Sequence, residues 1–172
     1  MPAQNACRTE GAEDRPAVEW LSPAEHEAWH LMTSVYGRVI KRLDDDLQEA
    51  HRISLREYQV LVQLSEADGA ALRMADLADR LSVSPSGLTR RLDGLVREGL
   101  VRRQACQSDR RGTWAVLSPA GRAALKDAAP THVAGVRRYV FSALRGKRLQ
   151  DLATGLRAIE TALDRAEIED RR

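Results

Sequence analysis

His26-Glu27-Ala28-Trp29-His30 places two imidazoles four residues apart around a carboxylate, the H-E-x-x-H pattern. On a helix both rings share a face and can hold zinc, with the glutamate as general base of a metalloprotease. No glycine-linked third ligand follows, and Ala28, Met32 and Val35 make the same segment the start of an apolar stripe. A pentapeptide this short also arises by chance, so no zinc protease is expected and no metal is assigned. Incidental zinc binding is the stronger of the two metal readings, and total metal content of the purified protein tests whether either holds. Cys7 and Cys106 have no metal-ligand spacing and are too few for a disulfide framework. Cys106, near Arg102 and Arg103, reads as a half-buried strand residue rather than an activated thiol. No Ser/His/Asp or Cys/His arrangement is present, so no enzyme and no cofactor are expected.

A second group suits nucleic acid. Leu88, Leu92 and Leu95, with Val96, fall together at ~100° per residue and must face a core. Opposite them stand Ser86, Arg90, Asp93 and Arg97, flanked by Gly87, Thr89 and Gly94, with Ser84 ahead and Arg91 alongside. Small residues let a helix backbone approach closely, and hydroxyls and guanidinium groups offer donors to base edges and phosphates. The positive end of the helix dipole favours phosphate at that same end. Downstream, Arg102, Arg103, Arg110 and Arg111 add charge. Residues 84–111 hold seven Arg against three acids (Asp93, Glu98, Asp109), a surplus of four positive charges. Arginines beside such a helix can enter an adjacent minor groove, and Asp109 can hold one of them in a fixed pose. A plain turn-forming role for Asp109 is compatible with both.

Local grammar supplies the elements that must position these groups. Residues 1–20 carry no sustained periodicity and read as a disordered tail. Ser22-Pro23 caps a long helix with Ala28, Met32, Val35, Val39, Leu43 and Leu47 on one face, widened by Trp29, Tyr36 and Ile40. It ends near His51. Ser54 and Glu57 form a capping box for a second helix, which Asp68-Gly69 stops. Met74 to Leu81 is a short helix, Ser82-Val83 a tight connection, and Ser84-Pro85 the start of the helix that ends at Gly99. The period then changes: residues 100–103 and 113–117 read as a hairpin around a polar, basic turn. Ser118-Pro119 begins another helix, with an irregularity expected at Pro130, running to about Leu144. After Gly146 a last helix carries Leu149, Leu152, Leu156, Ile159, Leu163 and Ala166 at heptad spacing. That narrow seam fits a second chain's helix and packing within one chain equally well.

Bulk properties are consistent with one domain with appended helices. The chain has 172 residues, 43% hydrophobic and 30% charged, with aromatics at 4%. Net charge is +2, too mild to decide a partner. Of 27 cations only Lys41, Lys126 and Lys147 are lysines; codon bias in a GC-rich genome covers much of this, and arginine also suits phosphate and guanine. No stretch approaches the ~20 apolar residues of a membrane span, and residues 1–19 lack a signal pattern. No membrane association and a cytoplasmic location are expected.

Several runs resemble the MarR family. They are Leu55-Arg56-Glu57-Tyr58, Met74-Ala75-Asp76-Leu77-Ala78, Ser84-Pro85-Ser86-Gly87-Leu88-Thr89-Arg90 and Leu95-Val96-Arg97-Glu98-Gly99-Leu100-Val101. The most specific is Asp109-Arg110-Arg111-Gly112 followed by Val116-Leu117-Ser118-Pro119-Ala120-Gly121, similar to the family's wing signature. The resemblance runs from about Ser22 to the C-terminus. It implies a homodimer that binds a pseudo-palindromic double-stranded DNA operator, usually as a repressor. Ser84, Ser86, Thr89 and Arg90 would meet the major groove, Arg111 the minor groove, and Asp109 would orient Arg111. The first and last helices would form the dimer interface. Relatives that sense peroxide use a thiol in the first helix region, which holds no Cys here. Many relatives bind small aromatic or phenolic anions, for which Trp29, His30, Tyr36, Arg38 and Tyr58 would be the lining residues; helical aromatics are otherwise core.

The expectation is therefore an α+β, mostly helical chain: a winged helix-turn-helix lobe at 54–118, with N- and C-terminal dimerisation helices at 21–53 and 119–172. Its function would be sequence-specific transcriptional regulation. The alternative is a winged-helix protein–protein module without operator binding, against which the Arg90 and Arg111 pair argues.

Overall fold

The computed structural model describes residues 18–105 and 113–170. Residues 1–17 of the expected tail, and Cys106, Asp109, Arg110 and Arg111 of the expected wing, lie outside the described residues. The chain divides into two units between Val35 and Tyr36.

The first unit holds the opening of helix α1 (Pro23–His51). Its start is the predicted serine cap with a reciprocal partner: the Glu25 N–H donates to Ser22 Oγ at 3.3 Å, and the Ser22 N–H donates to the Glu25 carboxylate at 2.8 Å. Trp20, Trp29, Leu31, Met32 and Val35 are all exposed here.

The second unit carries the rest of α1 and every other element. α1 buries Leu43 and Leu47, and the Asp44 carboxylate accepts from the Leu55 N–H at 2.7 Å, satisfying an end of the next helix. Helix α2 (Leu55–Glu66) begins with the Ser54–Glu57 capping box. Gly69, at φ +63°, turns the chain after it. Strand β1 (Ala71–Arg73), helix α3 (Met74–Arg80) and helix α4 (Pro85–Arg97) follow, then strands β2 (Val101–Ala105) and β3 (Thr113–Leu117). The strands form an antiparallel sheet in the order β1-β3-β2, with Arg73 and Gln104 both opposite Trp114.

Strand β1 departs from the sequence reading, which led straight from Leu72 into the short helix. Three residues show no alternation to read, and the partner strand lies some 40 positions downstream.

Helix α5 (Pro119–Val136) opens at Ser118, whose Oγ accepts from the Gly121 N–H at 2.9 Å and donates back toward the Gly99 carbonyl at 2.7 Å. One serine thus caps a helix and ties it to the turn after α4. Gly121 is needed there, because a Cβ would collide with the Leu100 carbonyl oxygen and come within 2.8 Å of Leu117. α5 runs through Pro130 without ending; the irregularity comes later, as a π turn at Arg137–Phe141. Helix α6 (Lys147–Asp170) buries no residue.

Leucine makes the core: Leu47, Leu61, Leu64, Leu77, Leu88, Leu92 and Leu95 are fully buried, drawn from α1 to α4. Ala115, Leu117 and Val101 close it from the sheet. No helix among the described residues is long and apolar enough to cross a membrane.

Candidate nucleic-acid interface

Helix α4 is held at its buried face by Leu88, Leu92 and Leu95, which fixes what the other face shows. Ser84, Ser86, Thr89, Arg90 and Asp93 are exposed, and Gly87 is half-buried. Ser84 is the N-cap, its Oγ accepting from the Gly87 N–H at 3.2 Å, with Ser86 Oγ also 3.2 Å away. Thr89 Oγ1 donates back to the Pro85 carbonyl at 3.0 Å. The hydroxyls thus keep the helix start compact, and Arg90 is the long donor that extends from it. Backbone, hydroxyls and one guanidinium together can meet phosphate oxygens and base edges in a groove.

Arg91 is set apart from this face. It is half-buried, and its pKa is lowered by loss of water and then by the nearby Arg56 guanidinium on α2.

The hairpin contributes differently from the sequence reading. Arg102 is exposed as expected of a basic wing. Arg103 instead turns onto α4, its Nη2 donating to Asp93 Oδ1 at 2.8 Å and to the Thr89 carbonyl at 3.2 Å. It neutralises a carboxylate that would otherwise repel phosphate, and it links the strand to the helix. Sequence reasoning missed this role, since the pairing depends on how the hairpin packs against α4. On the sheet, the Arg73 guanidinium lies 5.7 Å from the centre of the Trp114 ring, a cation–π contact between paired strands.

The residues considered for an aromatic effector do not share one environment. Trp29 and His30, in the first unit, are exposed. In the second, Tyr36 and Arg38 are exposed, and their spacing turns them ~200° apart on α1. Tyr58 is buried, its ring stacked on His132 at 4.6 Å and 25°. Burial raises the Tyr58 phenol pKa and lowers that of His132. An open concavity of about 550 Å³ is lined by Asp46, Glu49, Thr131 and Arg138 among others, and by none of these five.

Comparison with known proteins agrees with this architecture. A MarR family model matches residues 53–112, from the capping box of α2 onward. The chain is similar to AbsC, a MarR family transcriptional regulator from Streptomyces coelicolor. That match has 36% identity over 86% of this chain and 99% of the other, with a TM-score of 0.78. It is similar also to Sco3205, a MarR family regulator of the same organism solved in complex with DNA. There the identity is 32%, over 84% of this chain and 94% of the other, again with a TM-score of 0.78. Among curated proteins it matches the HTH-type transcriptional regulator PrsX of Escherichia coli, 30% identical over 95 residues. That match covers 54% of this chain and spans 57% of the curated relative's length. Near-complete coverage of AbsC at 36% identity makes this chain a member of the MarR family of transcriptional regulators.

Proposed function

We propose that this protein represses transcription by occupying a pseudo-palindromic DNA operator as a homodimer. The observation that carries this reading is the exposed start of α4. Leu88, Leu92 and Leu95 anchor one side, while Ser84, Ser86, Gly87, Thr89 and Arg90 present small and donor-rich groups on the other. The DNA complex of Sco3205 supports the same partner for this chain. Asp109, Arg110 and Arg111 are assigned by sequence to the wing, with Arg111 entering the minor groove beside α4 and Asp109 orienting it. Segments 21–53 and 119–172 are assigned to dimerisation, supported by the exposed seam of α6, where Leu149, Leu152, Leu156, Ile159 and Leu163 are 38–60% exposed in the single chain. A small aromatic or phenolic effector would find Tyr36 accessible on α1, whereas Tyr58 is already packed against His132.

The experiment is equilibrium binding of Arg90→Ala to a selected duplex and to scrambled duplexes, across a salt series. A base contact predicts a loss of about 1–3 kcal/mol on the selected duplex and a changed sequence preference. An equal loss on every duplex, with a salt slope reduced by about one, makes Arg90 a phosphate contact. Unchanged binding removes it from the interface.

A further inference from the structure

Of the four histidines, two are committed inside the fold. His51 sits with Nδ1 3.2 Å from the Asp127 carboxylate and Nε2 2.8 Å from Thr131 Oγ1. His132 is stacked against Tyr58. His26 and His30 are different: both are exposed, and both lie on the uninterrupted helix α1. The helix that the H-E-x-x-H spacing requires is therefore present, and its start is fixed by the Ser22–Glu25 cap.

Four residues along a helix put two Cβ atoms about 5–6 Å apart on one face. Two imidazoles so placed can close on one ion at about 2.0–2.1 Å from each nitrogen. The neighbouring Thr33 hydroxyl is turned back onto the Trp29 and His30 carbonyls, at 3.0 and 3.1 Å, and so offers the helix backbone its proton rather than the imidazoles. Among the described residues no group of three or more His, Cys, Asp or Glu side chains converges on a point that could hold a metal. The donor set here is therefore two imidazoles, with water completing the shell. Such a set suits borderline late transition metals and not calcium or magnesium, which take oxygen ligands.

We propose that His26 and His30 form a two-imidazole chelate on α1 for a late first-row divalent cation, with Cu²⁺ preferred over Ni²⁺ and Zn²⁺. The order follows the general ranking of divalent metals on nitrogen ligands. One effect opposes binding: the positive end of the helix dipole lies within two turns, which lowers affinity by a factor of about two to five. The second imidazole, presented on the same helix, raises affinity over a single one by about 100-fold. The chelate wins.

The test uses the whole chain with Cys7→Ser and Cys106→Ser, so that thiols neither bind nor reduce the metal. CuCl₂, NiCl₂ and ZnCl₂ are titrated near neutral pH in a non-coordinating buffer by calorimetry, with electron paramagnetic resonance of the Cu²⁺ form. The expected result is one Cu²⁺ per chain, nitrogen couplings from two imidazoles, and weaker binding of Ni²⁺ and Zn²⁺. His26→Ala and His30→Ala should each lose about 100-fold in Cu²⁺ affinity, with the circular dichroism of the protein unchanged because both side chains are exposed in the single chain and contribute nothing to its core. A third variant, His30→Ala with Ala28→His, keeps four histidines but turns the pair to opposite sides of the helix; it should bind as weakly as the single variants. No saturable Cu²⁺ binding by the parent, unchanged affinity in either single variant, or retained affinity in the misregistered pair would each overturn the proposal.

Discussion

Arg90 and Arg91 are adjacent in sequence and alike in chemistry, yet one rotation step separates their environments. Arg90 stays on the exposed face, whereas Arg91 turns toward α2 and meets Arg56. The periodicity of Leu88, Leu92 and Leu95 made the exposed face legible from sequence. It could not show that the Thr89 hydroxyl is engaged with its own helix, because that depends on its rotamer. Tyr58 is a similar case. An aromatic on an amphipathic helix is compatible with a pocket wall or with core, and only the presence of His132 from α5 decides for core. That contact has a measurable consequence. Burial lowers the His132 pKa below its ordinary 6.5, so the unfolded chain takes up a proton before the folded one does. Stability from this site is present above pH 6.5 and is lost as pH falls from there through the lower folded value. Denaturant titrations over that range should show stability falling with acidification, and His132→Phe should flatten the slope attributable to this residue. An unaltered slope in the variant would mean that other groups set the acid sensitivity.

Among the elements, the starts of α1, α2, α4 and α5 were the most readable features, since each is announced by a serine cap: Ser22, Ser54, Ser84 and Ser118 all accept the N–H expected of them. Strand β1 was not readable, because its three residues become a strand only by pairing with β3. The link between β2 and α4 was equally hidden, as Arg103 and Asp93 carry no local pattern that joins them. Arg103 is partly exposed, so the ion pair contributes about 0.2–1 kcal/mol to stability. Its larger role is to hold α4 against the hairpin. Arg103→Ala and Asp93→Ala should each destabilise modestly, and the double variant should lose less than the sum, as a denaturation-based mutant cycle would register. Strict additivity would mean that the pair is not coupled in solution.

For the molecule as a whole, the heptad seam of α6 was legible as a seam but not as an interface. Spacing alone left packing within one chain open, and the structure leaves these residues exposed, with none buried along the helix. Leu156, near the middle of that seam, is 51% exposed; Leu156→Glu should therefore spare the fold of the single chain and weaken self-association, read by sedimentation. A variant that sediments like the parent would place the dimer contact elsewhere. In the proposed homodimer, symmetry would also set what the DNA must look like, since two copies of α4 related by a two-fold axis require two half-sites related in the same way. The most direct measurement is selection of binding sites from random duplex DNA by the purified protein at near-physiological salt. Enrichment of a two-fold symmetric sequence, with half-sites about one helical turn apart, is the predicted result. Weak, strongly salt-dependent binding with no sequence preference would contradict an operator-binding role, and would favour a winged-helix module that engages other proteins.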